Sequence, residues 1–153
     1  MAELAAMEGL EALIGDWAMD AKPPDGPPWP GEANASFAWL GGRSWLIECW
    51  HVDMPEAPDG IAIIGPKDAP PSGEESAKSG ELVQHYFDTR GVHRLYEMSL
   101  SGGVWKLWRE GEPFSQRFTG NFSDDGRKIE GRWEINEDGE WRTDFDLTYR
   151  RVD

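Results

Sequence analysis

The chain is short of several residue types, and each shortage narrows what it can do. It has one cysteine, Cys49, in 153 residues. A lone thiol forms no internal disulfide, so a buried, inert thiol in a reducing compartment is expected. It has three histidines, His51, His85 and His93. No two are spaced as a strand-borne metal pair, and no clustered carboxylate completes a set, so no metal and no cofactor are expected. Basic residues are scarce: 15 Lys and Arg stand against 29 Asp and Glu, for a net charge of −14. Such a surface repels nucleic-acid phosphate and anionic lipid, so neither is an expected partner. No apolar run reaches the roughly 18 residues of a membrane span. The opening Met-Ala-Glu-Leu-Ala-Ala-Met-Glu has no basic n-region, so a secretory leader is not expected. A cytoplasmic monomer or homodimer is the resulting expectation. Nucleophile elbows, phosphate loops and dinucleotide glycine fingerprints are missing as well.

What the chain does have is aromatic residues and rhythm. There are nine tryptophans, a heavy load for one small domain. From about Ser44 onward, aromatic-rich runs alternate with tight turns: Asp88-Thr-Arg-Gly91, Ser101-Gly-Gly103, Asp124-Asp-Gly126, Glu137-Asp-Gly139. Short runs at this spacing, joined by hairpin turns, make an antiparallel meander. Strands are expected near 14–21, 33–40, 44–52, 60–65, 81–88, 92–100, 104–110, 115–122, 128–136 and 140–151. A meander of about ten strands avoids exposed edges by closing. The expected fold is all-β: an antiparallel up-and-down barrel in a single domain over 1–153. Leu4, Met7, Leu10 and Leu13 predict a short N-terminal helix over 2–13, capping one end. The segment 22–31 carries five prolines and is expected as a stiff loop. The polar connection 66–80 is expected to be mobile.

Turn chemistry assigns faces. Gly102-Gly103 suits a two-residue turn, which sets Leu100 opposite Trp105 and Met98 opposite Leu107; a three-residue loop instead puts Trp108 in the place of Leu107. The turn at 88–91 sets Tyr86, Arg94, Tyr96 and Met98 on one face. In the last two strands, Ile129, Trp133, Ile135 and Trp141, Phe145, Leu147, Tyr149 form the apolar sets. Their alternates, Glu130, Arg132, Glu134, Arg142, Asp144 and Asp146, form a solvated outer face.

At Gly15-Asp-Trp17 the chain resembles the lipocalin signature, a Gly-x-Trp at the start of the first strand, just after a short helix. The resemblance implies a calycin barrel in which the Trp closes one end and an Arg of the last strand, here Arg150 or Arg151, packs across its indole. Gly41-Gly-Arg43, Asp124-Asp-Gly126 and Gly131-Arg-Trp-Glu134 are similar to segments of small bacterial lipocalin-like proteins of unknown function. The likeness runs from about residue 10 to 152. Ten-stranded relatives, the nitrobindins, carry ferric haem on a histidine in their C-terminal part. No histidine lies in the last third of this chain, so haem of that kind is not expected.

Closed barrels of this size either pack solid or enclose one small ligand. With the helix at the closed end, the loops at 22–31 and 53–60 mark the mouth. A polar scatter among aromatic positions, Gln84, His85, Tyr86, Arg94, Tyr96, Arg109 and Gln116, is the usual makeup of a small-molecule pocket. The candidate ligand-binding residues are Tyr86, Arg94, Tyr96, Met98, Trp133, Gln116 and His85. Gly131, small beside Trp133, is expected to widen the interior. The expected function is a binding protein for a small hydrophobic or aromatic molecule in the cavity. Two alternatives stand beside it: a cyclase- or isomerase-type enzyme using the same cavity, and a solid-cored barrel acting through its surface. No residue is singled out as catalytic.

Overall fold

A computed structural model of the chain describes residues 8–55, 57–67, 81–111 and 113–152. Ten antiparallel strands close into a barrel in which every strand pairs with its neighbours in sequence and the first pairs with the last. They are β1 Gly15–Lys22, β2 Ala33–Trp39, β3 Leu46–Val52, β4 Gly60–Pro66, β5 Leu82–Asp88, β6 His93–Ser101, β7 Val104–Arg109, β8 Ser115–Phe122, β9 Lys128–Asn136 and β10 Trp141–Val152. Each agrees with its expected position to within two residues. Period-2 alternation is the cause: along β1 and β2 every second residue, Trp17, Met19, Ala35 and Phe37, is buried. Of the expected helix over 2–13, residues 1–7 lie outside the described residues. Residues 8–9 are helical, and Leu10–Leu13 form a 3-10 turn whose leucines are fully buried. The stretch 68–80, most of the connection expected to be mobile, also lies outside them. Among the described residues no helix is long and apolar enough to cross a membrane.

An even strand count brings both ends of the sheet to one rim, and that rim is sealed. Trp17 is 0% exposed, and its Nε1 donates to the Leu13 carbonyl at 2.9 Å. The Arg151 guanidinium lies 4.2 Å from the centre of the Trp17 ring. Its two terminal nitrogens donate to the carbonyls of Ile14, at 2.6 Å, and Ala12, at 2.7 Å. One side chain thus satisfies the loose end of the turn and covers the indole. Arg150, the other candidate, points outward to Asp20.

The hairpins follow their turn residues. Gly102 and Gly103 have φ of 59° and 76°, as a two-residue primed turn requires, and Ser101 pairs with Val104. Met98 therefore faces Leu107 and Leu100 faces Trp105. A single inward rung then crosses six strands: Leu82, Met98, Leu107, Phe118, Trp133 and Phe145.

Four expectations are corrected. Trp141 does not share the face of Phe145. The register shifts between Thr143 and Phe145, leaving Asp144 as the extra residue of a bulge. A bulge inverts the alternation on one side of it. Trp141 therefore lies on the outer wall, where Arg117 stacks on its ring at 4.1 Å while pairing with Glu134. Arg142, expected outside, is in turn paired with Ile135 of the inward set, although its own head reaches the exposed Glu137. Cys49 is exposed rather than buried, because it falls between inward Glu48 and Trp50 on β3. Gly131 does not widen the interior. A Cβ there would strike the Phe118 ring and approach the Leu147 carbonyl to 2.8 Å, so the aromatic ring already fills the space. Gly131→Ala is expected to destabilise the fold by roughly 1–3 kcal/mol through overpacking, read as a lower urea midpoint at unchanged slope.

Candidate functional site at the barrel mouth

The interior is filled unevenly. In the sealed half, Trp17, Tyr149, Phe37, Trp105 and Phe118 form one ring-to-ring network, with centroids 4.9–6.5 Å apart. All five are at most 5% exposed. Toward the other rim the network continues through Trp133, Tyr96, Tyr86 and Trp50. Here Trp133, Tyr86 and Trp50 face inward yet are only half-buried, as are Phe145 and Leu147. An inward side chain that still meets solvent lines an open recess. This less covered end of the barrel is here called the cup. Trp29, from the proline-rich loop, rests on Phe145 at the lip, 5.7 Å between centroids.

The polar groups of the cup come from β5–β8. Antiparallel register sets Gln84 beside Tyr96, Tyr86 beside Arg94 and Arg109 beside Gln116. The Tyr96 hydroxyl donates to Gln116 Oε1 at 2.8 Å. Arg94 and Arg109 point at the same oxygen from 3.5 and 3.4 Å. Both guanidiniums also lie over the Phe114 ring, at 5.2 and 5.5 Å. The Tyr86 hydroxyl donates to Asp88 at 2.6 Å, and Arg90 donates to the same carboxylate.

Burial raises the Tyr86 hydroxyl above the ordinary phenol range, and its bond to Asp88 raises it further. Burial also raises Tyr96, with Arg94 opposing the rise. At Asp88 burial acts upward too, but Arg90 and Tyr86 outweigh it and hold the carboxyl well below the usual range. Deeper, Glu48 points inward between Phe37 and Ala62. Burial pushes its carboxyl up to about 8. No described residue hydrogen-bonds or ion-pairs with it. Gln84 Oε1 and Trp105 Nε1 are likewise buried without a partner.

Of the sequence-predicted residues, Tyr86, Arg94, Tyr96, Gln116 and Trp133 come together in the cup. Met98 packs in the core opposite Leu107, 3% exposed, and is as fully covered there as Tyr96 at 1%. His85 is set apart by the pleat. Between inward Gln84 and Tyr86 it must point outward, where it lies parallel to His93 and meets Trp45 edge-on. His93 and His51 are outward as well, the latter bonded to Asp59 at 3.1 Å. No histidine thus faces the interior, and among the described residues no metal-binding group of His, Cys, Asp or Glu converges. Trp50, Phe114 and Glu48 stand outside the residues the sequence points to, and Arg109 belongs only to the wider polar scatter. The signal for Glu48 was present: Leu46, Glu48 and Trp50 alternate, so the carboxyl had to share the apolar face. Two clefts lie outside the barrel interior. One of about 330 Å³ sits at the rim between Val52 and Thr89, and one of about 420 Å³ lies along the outer wall at Trp108 and Arg117.

No family model matches this sequence, and no curated protein does. Solved structures match the fold. Rv2717c from M. tuberculosis superposes with a TM-score of 0.66 at 12% identity, covering 97% of this chain and 98% of that one. The wild-type fluorescent protein UnaG gives a TM-score of 0.52 at 12% identity, covering 94% and 99%. At this identity the likeness is one of fold. The chain is a closed barrel of ten antiparallel strands, similar in fold to these structures.

Proposed function

We propose that the protein is a cytoplasmic binding protein for a small hydrophobic or aromatic molecule held in the cup. The observation that carries this is the half-buried state of inward-facing Trp50, Tyr86 and Trp133. Aromatic surface turned into a concavity and left wet is stabilised by an apolar occupant that excludes the water. Gln116, Arg94 and the two tyrosines supply the few placed polar groups that orient such a molecule. The resemblance to UnaG supports the reading at the level of fold.

A second reading has its own observation. Glu48 holds a proton at neutral pH inside the barrel, as a general acid must. An enzyme acting on an apolar substrate would use it. The surface-acting, solid-cored alternative is supported by the sealed half, but not by the open one.

The test is titration with neutral N-phenyl-1-naphthylamine, an apolar fluorescent probe. We expect saturable binding at about one site, with quenching of tryptophan emission, and a weaker fit in Trp133→Ala. Linear, non-saturable fluorescence overturns the binding reading and leaves the surface-acting one.

A further inference from the structure

On the outside of the barrel, one wall departs from the rule that the solvent face of an antiparallel sheet is polar. Register lines up two outward rungs across β3–β6. The first is Cys49, Ile61, Phe87 and His93. The second is Ile47, Ile63, His85 and Leu95. Neither rung holds a Lys, Arg, Asp or Glu, in a chain with 15 basic and 29 acidic residues. Ile61, Phe87 and Leu95 are 39%, 38% and 53% exposed. Apolar side chains scattered singly over a surface are ordinary, but these adjoin one another in one strip.

The rings of the strip are ordered. Phe87 and His93 stack in parallel at 4.7 Å, and His93 and His85 at 6.3 Å. Trp45 meets His85 edge-on. Rings already fixed in place lose little freedom when a partner covers them, so they suit the centre of an interface.

Charge decides which partner can approach. A second copy meets repulsion over most of a surface that carries −14. Along this strip it meets none, and carboxylates at the edges are engaged within the chain, Asp88 by Arg90 and Glu97 by Lys67. Shape agrees with charge. Two convex barrel walls touch along a band a few strands wide, and the four strands here span about 15 Å at the usual spacing. A twofold axis through the strip sets apolar side chains on apolar side chains and rings beside rings, as a self-complementary contact requires. The two rungs supply fewer residues than the roughly 20–30 a side of a standard interface, so the contact is weak and reversible.

We propose that the outer wall of β3–β6 is the interface of a reversible homodimer, with Phe87, His93 and Leu95 at its centre. The strip lies on the outside of the barrel, so this does not depend on the binding reading above.

Sedimentation velocity of the full chain tests it, over about 1 μM to 1 mM, where a small interface associates. The weight-average mass should rise from that of a monomer toward that of a dimer. Added salt should favour the dimer, because it screens the repulsion between two acidic chains. Leu95→Lys and Phe87→Ser, each checked for native near-UV circular dichroism, should raise the dissociation constant about tenfold or more. Leu40→Lys, at a site 50% exposed on the closed rim, should leave it unchanged. A chain that stays monomeric throughout overturns the proposal. So does a dimer that persists in the folded variants of the strip, or that Leu40→Lys weakens equally. A dimer that dissociates as salt is added overturns it too, since that marks ionic contacts.

Discussion

Trp17→Ala is expected to cost about 3–5 kcal/mol, the range for truncating a large aromatic in a core. The indole is fully buried and joins three parts of the closed end at once. It donates to the Leu13 carbonyl, lies beneath the Arg151 guanidinium and meets Tyr149 edge-on at 6.3 Å. Its removal leaves a cavity under Leu10 and Leu13, which are themselves fully buried. It also leaves Arg151 without its ring, though still bonded to the Ile14 and Ala12 carbonyls. Urea unfolding of the variant should show the loss as a lower midpoint with little change in slope. A loss below about 1 kcal/mol, the level of an ordinary point substitution, would mean that the closed end does not depend on this contact.

The second large effect is a pH dependence set by Glu48. In the unfolded chain its carboxyl titrates near 4.5, and in the fold at about 8, because burial penalises the charged form. Between those values the folded state keeps a proton that the unfolded state has released. Stability therefore falls as pH rises through this window, by about 1.4 kcal/mol per pH unit, or roughly 3–5 kcal/mol in all. Below the window both states are protonated, and above it neither is, so the contribution levels off at each side. Asp88 acts in the opposite sense. Its lowered titration gives stability that is lost only as the solution turns acid. Glu48→Gln keeps the size and shape of the side chain and removes the titration. Its unfolding free energy should be nearly flat from about pH 5 to 9, and the variant should be the more stable protein at the alkaline end. Parallel pH profiles for the two proteins would show that Glu48 titrates normally.

These effects rest on features of unequal visibility in the sequence. The Gly-x-Trp of β1 and the arginine pair near the C-terminus are local patterns, and closure by Trp17 and one of Arg150 and Arg151 was legible through the resemblance they carry; that it is Arg151 was not. The strand positions were legible because alternation and turn residues act over a few residues at a time. The two-residue turn at Gly102-Gly103 alone set Met98 against Leu107. Tyr86, Arg94 and Tyr96 came out on one face for the same reason. His85 was misassigned although the rule that places it outside is equally local. It stands between inward Gln84 and Tyr86, so parity places it outside despite its polar, aromatic character.

Other features were decided only by the closed sheet. Alternation says which face a side chain takes but not how deep in the barrel it lies. Depth depends on the stagger of all ten strands, a property of closure rather than of any segment. That stagger covers Tyr96 and Met98 of β6 completely, while inward Tyr86 of the neighbouring strand stays half-buried. The bulge at Asp144 moved Trp141 to the outer wall, because one extra residue accepted in β10 inverts every position on one side of it. The space beside Gly131 was filled by Phe118, from a neighbouring strand. Charge pairing was decided in the same way. Which arginines hold a carboxylate and which are left with Gln116 depends on contacts between strands distant in sequence. Turn spacing and alternation determined an antiparallel barrel, composition made it acidic and aromatic-rich, and tertiary packing alone determined that Arg94 and Arg109 meet at Gln116.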